Sequence, residues 1–284
     1  MDAHRNAPPL KFSSVDWVDR YCTKIGWREQ RVKGSHELSE IIQAHIRSFP
    51  FDMLDYFLGI APTIQIEAIL KKFLIDGRGG GCSQQNALLH TMLGNLGVVS
   101  QLGMARVLRT DGHPSPRAHM ILFVEMQSYS WLCDVGYGLF GPLQPILIEP
   151  GVVQQQGAHQ FKIIPAGGEL LSLARLSQNL WKPIYHFDRR TYDLPDFEPA
   201  NFYNSLSPRS IFTKNLIVAR PSLTGGTMIR NNIFATVERE TQTRQRIESS
   251  EHLVDMLDRH FSISLRQADF VHLPSGLTPI RMVV

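Results

Sequence analysis

The sequence predicts an α+β fold with helices first and strands after. Three observations carry this: residues 1–98 place apolar side chains at helical spacing; from Val98 the apolar period drops from about 3.6 to about 2; and beyond Phe212 the two patterns mix. The chain therefore divides into residues 1–98, 99–211 and 212–284. A length of 284 residues suits two or three small units around a shared centre.

Val15, Val18, Tyr21, Cys22 and Ile25 form the first helical stripe, which Gly26 ends. A second helix starts at Ser35 as N-cap, buries Leu38, Ile41, Ile42, His45 and Ile46, and stops before Pro50. Residues 64–74 make a third. Ala87, Leu88, Leu89, Met92, Leu93 and Leu96 mark a fourth, with Gly97 as its C-terminal cap. Residues 99–108, 119–125, 129–135, 160–164 and 170–174 read as strands, with Gly/Pro-rich connections such as residues 111–114. Short strands in succession predict an antiparallel sheet or barrel. Residues 149–159, polar and Gln-rich, read as an exposed loop. Toward the end, residues 215–221, 226–230 and 234–238 read as strands, and residues 251–260 as a helix with Leu253, Met256 and Leu257 inward.

Composition narrows the function. Hydrophobic residues make up 43% and charged ones 19%, as in an ordinary soluble globular protein. The net charge of +3 is small and scattered, which argues against nucleic acid as partner. Lys71-Lys72 and Arg189-Arg190 read as solvated surface. No apolar run approaches the roughly 18–20 residues that span a bilayer. The opening MDAHRNAPPLKFSSVDW lacks the apolar stretch of a secretory signal. Cys22, Cys82 and Cys133 are odd in number and without metal-ligand spacing, so neither a disulfide scaffold nor a metal site is expected, and the compartment is read as the cytoplasm. No Gly-rich phosphate loop is present, which argues against nucleotide hydrolysis.

The chemistry starts at Arg78-Gly79-Gly80-Gly81-Cys82-Ser83-Gln84-Gln85-Asn86. Cys82 falls at the start of the fourth helix, where the helix dipole favours the thiolate. The glycines before it leave the backbone open to a substrate. A cysteine beside an apolar helix also fits plain core packing, which is how Cys22 and Cys133 are read. His119 and Asp134 sit inside apolar strands that can form a hairpin. A turn centred between Met126 and Gln127 sets them opposite each other, with Cβ atoms roughly 4.5–5.5 Å apart. Buried ionisable groups need partners, and each supplies the other's. Cys82, His119 and Asp134 thus have the residue types and roles of a Cys-His-Asp nucleophilic triad.

These residues resemble the arylamine N-acetyltransferase family. Its Arg-Gly-Gly-x-Cys signature, with Glu or Gln two residues on and Asn four residues on, matches residues 78–86. Its second signature matches His119-Met120-Ile121-Leu122 and Asp134-Val135-Gly136-Tyr137-Gly138. Ile25-Gly26, the segment Pro50-Phe51-Asp52-Met53-Leu54-Asp55 and the stretch from Tyr203 to Phe212 resemble further family segments. Gly81, Ser83 and Asp52-Met53 depart from the pattern, changing the walls near the sulfur.

The resemblance implies a helical bundle, an antiparallel β-barrel and a C-terminal α/β lid, with the triad between the first two. It implies no permanently bound cofactor, acetyl-CoA or another acyl-CoA as cosubstrate, and a small aromatic amine or hydrazine as acceptor. It also implies a ping-pong reaction through an acyl-Cys82. Ser115, Pro116, Tyr203, Arg209 and Ser210 fall where the family contacts CoA, and Tyr137 where it lines the acceptor pocket. For the tyrosines aromatic packing, and for Ser115-Pro116 a plain turn, compete with these roles. Small Gly81 and Ser83 suit a larger donor such as propionyl- or malonyl-CoA. The same triad also serves thiol hydrolases, transglutaminase-like enzymes and amide synthases fed by a carrier protein; a catalytically inactive binding module is a further alternative, against which the intact triad argues.

Overall fold

The computed structural model describes residues 15–109, 115–239 and 241–265. The 111–114 connection and the opening segment lie outside the described residues. Helices come first: α1 (Val15–Ile25), α2 (Ser35–Ser48), a short strand β1 (Phe51–Asp52), α3 (Leu54–Phe57), α4 (Ile66–Leu74) and α5 (Cys82–Asn95). An antiparallel run follows: β2 (Ser100–Val107), β3 (His119–Met126), β4 (Tyr129–Cys133), β5 (Ile146–Leu147), β6 (Gln154–Gln156), β7 (His159–Pro165), β8 (Leu171–Ser177) and β9 (Leu180–Phe187). A 3-10 turn at Leu194–Phe197 leads into α6 (Glu198–Leu206). The chain then forms β10 (Ile217–Ser222), β11 (Gly225–Arg230), β12 (Ile233–Glu238), β13 (Thr241–Arg246) and α7 (Ser250–Phe261).

Strands β2 to β9 make one eight-stranded sheet in the order β5-β4-β3-β2-β9-β8-β7-β6. It curls into a nearly closed barrel, with Pro150 bridging to Ile163 beside the seam. The second sheet, β1-β10-β11-β12-β13, reaches back along the chain to take in Phe51–Asp52.

The apolar run of β3 is continuous because both of its faces are buried. Met120, Leu122 and Val124 join the core of α1, α2, α4 and α5. Ile121 and Phe123 fill the barrel with Leu132, Phe161, Leu173, Tyr185 and Phe187. The second sheet is likewise covered on both faces. Leu253, Leu257 and Phe261 of α7 pack on Val218 and Ile229, while Phe51, Met53 and Tyr56 pack on Ala219 and Met228. Among the described residues, no helix is long and apolar enough to cross a membrane.

Three readings need correction. Ser35 is not the N-cap of α2: Gly34 holds that place in extended conformation, with no side-chain cap. Residues 149–159 are not a simple exposed loop. Gln154 and Gln156 use their carboxamides as extra backbone: Gln154 bonds both N–H and C=O of Leu147, and Gln156 accepts from Leu143 N–H and Gln144 N–H. Polar composition therefore hid a strand whose Gln156 is 2% exposed. The β3–β4 turn is centred on Gln127-Ser128, both with positive φ, so Met126 pairs with Tyr129 and Leu122 with Cys133. Continuing that register brings Asp134 beside Ile121, two residues along from His119. Because side chains alternate, both still share the barrel face. Cys133 points the other way, into the helical core.

Candidate active site

The approach to Cys82 is set by a charge cluster around buried Asp52. Arg78 grips Asp52 through Nε (2.6 Å) and Nη2 (3.1 Å) and reaches Asp55 at 3.1 Å, while Lys72 pairs with Asp55 at 2.7 Å. Burial pushes the Asp52 carboxyl up, but Arg78 and Lys72 hold it below the usual carboxylate range. Gly79 then passes under Pro50 so closely that a Cβ would lie 1.8 Å from the Pro50 carbonyl oxygen. Asp52 N–H donates to Gly80 O at 3.2 Å, and Gly81 caps α5 in extended conformation. This lays the glycine run against β1 and starts α5 at Cys82.

Three side chains converge there. Cys82 is 9%, His119 5% and Asp134 2% exposed. His119 Nε2 lies 2.7 Å from Asp134 Oδ2, which leaves Nδ1 as the ring nitrogen available to Cys82. Burial pushes the Cys82 thiol up, but the His119 charge and hydrogen bond, together with Met120 N–H, bring it below the ordinary thiol range. Burial alone would lower His119; Asp134 and then Cys82 raise it to about 10. Asp134, pushed up by burial, is held below the usual carboxylate range by His119, Gly136 N–H and Asn86. The arrangement favours a thiolate–imidazolium pair.

Asn86, one helical turn past Cys82, ties the three elements together. Its Nδ2 donates to Met120 O (2.8 Å) and Asp134 Oδ1 (3.2 Å), and its Oδ1 accepts from Val135 N–H (3.1 Å). Gly136 N–H closes the loop on Asp134 Oδ1 at 2.9 Å.

Tyr137 stands edge-on to His119 with ring centres 5.7 Å apart. It also borders a small cleft lined by Phe51, Asp134, Val135, Gly138 and Pro221. Tyr185 flanks the same imidazole at 5.3 Å. Burial first and the Asp134 charge second push its hydroxyl far above the ordinary phenol range, and among the described residues it has no partner in hydrogen-bonding geometry. The sequence reading missed Tyr185 because strand β9 was unrecognised. The period-2 pattern there is broken by Lys182 and Pro183.

The space expected from Gly81 is occupied. A Cβ there would meet Met53 Sδ at 2.9 Å and Tyr56 Oη at 3.3 Å, so those two side chains fill it. Ser83 is buried, with its hydroxyl 3.9 Å from Cys82 Sγ. Ser115 donates to Val107 O, and its own carbonyl accepts from Arg106, beside exposed Pro116. Tyr203 is half-buried on α6 and Arg209 exposed on the loop after it. Ser210, by contrast, is 3% exposed and its hydroxyl donates to Asn204 O at 2.7 Å. Asn204 in turn donates to Ala118 O, the carbonyl beside Cys82 Sγ. Among the described residues no cluster of His, Cys, Asp or Glu could hold a metal ion.

A family model described as N-acetyltransferase matches residues 36–270. The arylamine N-acetyltransferase of Mycolicibacterium smegmatis is 30% identical over 251 residues, covering 86% of this chain and 91% of that protein. Arylamine N-acetyltransferase 1 of Homo sapiens is 26% identical over 275 residues, covering 88% and 95%. The solved arylamine N-acetyltransferase of Nocardia farcinica superposes with a TM-score of 0.85 at 25% identity, covering 95% of this chain and 98% of that one. The Mycobacterium marinum arylamine N-acetyltransferase in complex with CoA shares the fold, with a TM-score of 0.83 at 23% identity and coverage of 89% and 96%.

Proposed function

Because the chain belongs to the arylamine N-acetyltransferase family, and so is an acyltransferase acting on amino groups, we propose that it moves an acetyl group from acetyl-CoA to an aromatic amine or arylhydrazine through a thioester on Cys82. The observation that carries this reading is the buried His119–Asp134 pair, 2.7 Å apart, whose imidazole brings the buried Cys82 thiol below the ordinary thiol range.

In the first half-reaction the Cys82 thiolate attacks the acetyl carbonyl. The new C–S bond forms as the bond to CoA breaks, and the departing CoA thiolate takes the proton of the His119 imidazolium. Exchange of one thioester for another is nearly isoenergetic, so an activated thiolate suffices. In the second half, the amine attacks the acetyl-Cys82 carbonyl, neutral His119 takes its proton, and the Cys82 sulfur leaves. Asp134 keeps the imidazole oriented and stabilises its charged form. The low exposure of all three groups limits water, which would otherwise hydrolyse the thioester.

Exposed Arg209 suits a CoA phosphate, with Tyr203, Ser115 and Pro116 as further CoA contacts; the CoA complex of the Mycobacterium marinum relative supports a CoA site in this fold. Ser210 acts from beneath that surface by holding Asn204. Tyr137 borders the acceptor. With the Gly81 space filled by Met53 and Tyr56, acetyl is the expected donor group. The thiols of Cys22, Cys82 and Cys133 are unpaired, which suits the cytoplasm.

The test is incubation with acetyl-CoA alone, followed by intact and peptide mass analysis. One acetyl group should appear on Cys82 with release of CoA, and added aniline should discharge it as the N-acetyl product. Transfer that survives in Cys82→Ala, or an adduct that only hydrolyses, would overturn the reading.

A further inference from the structure

A buried hydrogen-bond chain beneath the nucleophile has a direction fixed by its chemistry. The Pro50 carbonyl can only accept, so the Gln85 group 2.8 Å away is Nε2, donating to it. Gln85 Oε1 therefore faces His45 Nε2 at 2.8 Å, and that nitrogen must carry the proton. His45 Nδ1 is then bare and accepts from the Tyr21 hydroxyl at 2.9 Å. Burial keeps His45 neutral, with its pKa lowered to about 4, and keeps Tyr21 protonated. All three side chains are at most 0% exposed, and every donor and acceptor in the series is matched.

The last acceptor links this chain to the site. Pro50 is the residue under which Gly79 passes without room for a Cβ. Its neighbours Phe51 and Asp52 carry the bridge to Gly80 that precedes Cys82. Gln85 itself lies on the first turns of α5, with its N–H bonded to Gly81 O. We propose that Tyr21, His45 and Gln85 are positioning residues whose directed hydrogen-bond chain fixes Pro50, and through it the 79–82 turn that presents Cys82 to His119. The inference rests on Cys82 being the nucleophile and adds residues contributed by α1 and α2, far along the chain from the reacting atoms.

A merely structural network would lower stability when cut and leave thiol reactivity alone. A positioning network would also move the Cys82–His119 contact and so the pH at which the thiolate forms. Two variants separate these. Gln85→Met keeps shape and loses the side-chain bonds to His45, Pro50 O and Phe49 O; Tyr21→Phe removes one oxygen and leaves its ring stacked on Phe49. Iodoacetamide alkylation of Cys82, followed by peptide mass as a function of pH, should show the acid limb of the Gln85→Met profile displaced about one unit toward higher pH, which is about tenfold slower below that limb, yet unchanged at pH 9.5. Tyr21→Phe should shift the same way by less, with kcat reduced and the KM for the amine unchanged. Should Gln85→Met fail to fold, Tyr21→Phe decides. Superimposable profiles for wild type and Tyr21→Phe would overturn the positioning role. A wild-type Cys82 inert to alkylation at neutral pH would instead overturn the nucleophile reading, which keeps the two failures apart.

Discussion

Gly136 lies against Cys82 with no room for a side chain between them. A Cβ at position 136 would come within 2.5 Å of Cys82 Cα and 2.8 Å of Asn86 Nδ2. Close approach requires glycine here, because the loop that holds Asp134 must pass directly over the start of α5. Gly136→Ala is therefore expected to push the Asp134 loop off the helix. We expect kcat to fall about 100-fold, the scale of a 1 Å misplacement, with a stability loss of about 1–3 kcal/mol from overpacking. Steady-state kinetics and urea unfolding check both, and a near-wild-type kcat would contradict the geometry.

The meeting of His119 and Asp134 was legible before any coordinates because it depends on parity. A hairpin register off by two residues leaves every side chain on its correct face, so the wrong turn centre still brought the pair together. The turn itself was hidden: Gln127 and Ser128 both adopt positive φ without glycine or asparagine to announce it. Likewise, the Gln-rich segment concealed a strand because its carboxamides replace backbone partners, a relation visible only in three dimensions. Asn86 stood inside the quoted motif, yet its hold on Asp134 and Met120 joins residues far apart in sequence. Spacing along one helix could not reveal it. Gly81 misled for the same reason, since the side chains that fill its space come from β1 and α3 neighbours.

Asp134→Asn keeps the shape of the carboxylate and removes its charge. The imidazolium then loses its counter-ion, so the His119 pKa should fall and the thiolate it supports should form only at higher pH. The expected loss in kcat is about 10⁴-fold, the scale seen when the acid of such a triad is neutralised. Alkylation of Cys82 at neutral pH should slow in parallel. An unchanged alkylation rate would separate Asp134 from the thiol.

Arg78→Met should destabilise the fold by about 3–5 kcal/mol, because it leaves Asp52 buried and charged without its bidentate partner. Asp52→Leu in the same chain should recover much of that loss. The pH dependence has a definite sign. In the wild type the Asp52 carboxyl is held below the ordinary carboxylate range, so its stabilising contribution is present above that range and lost as pH falls through the folded value. Without Arg78, burial dominates and raises the same carboxyl, so the variant should recover stability on mild acidification where the wild type does not. Urea unfolding at pH 7 and pH 5 measures both slopes. A variant that loses stability between those values would refute the assignment.

Reactivity should separate the three thiols. Burial raises Cys22 and Cys133 above the ordinary thiol range, whereas His119 brings Cys82 below it. At neutral pH iodoacetamide should therefore modify Cys82 first, and the rate should fall only in acid, as the thiolate gains its proton. The alkaline side distinguishes alkylation from catalysis. His119 is raised to about 10, so its stabilising ion pair is fully present below the ordinary imidazole range and disappears as pH rises through the folded value. Above that point the thiolate persists and alkylation continues, but no imidazolium is left to protonate departing CoA thiolate. Acetyl transfer should thus decline near pH 10 while alkylation holds level, and transfer that also holds level above that pH would show that His119 does not supply that proton.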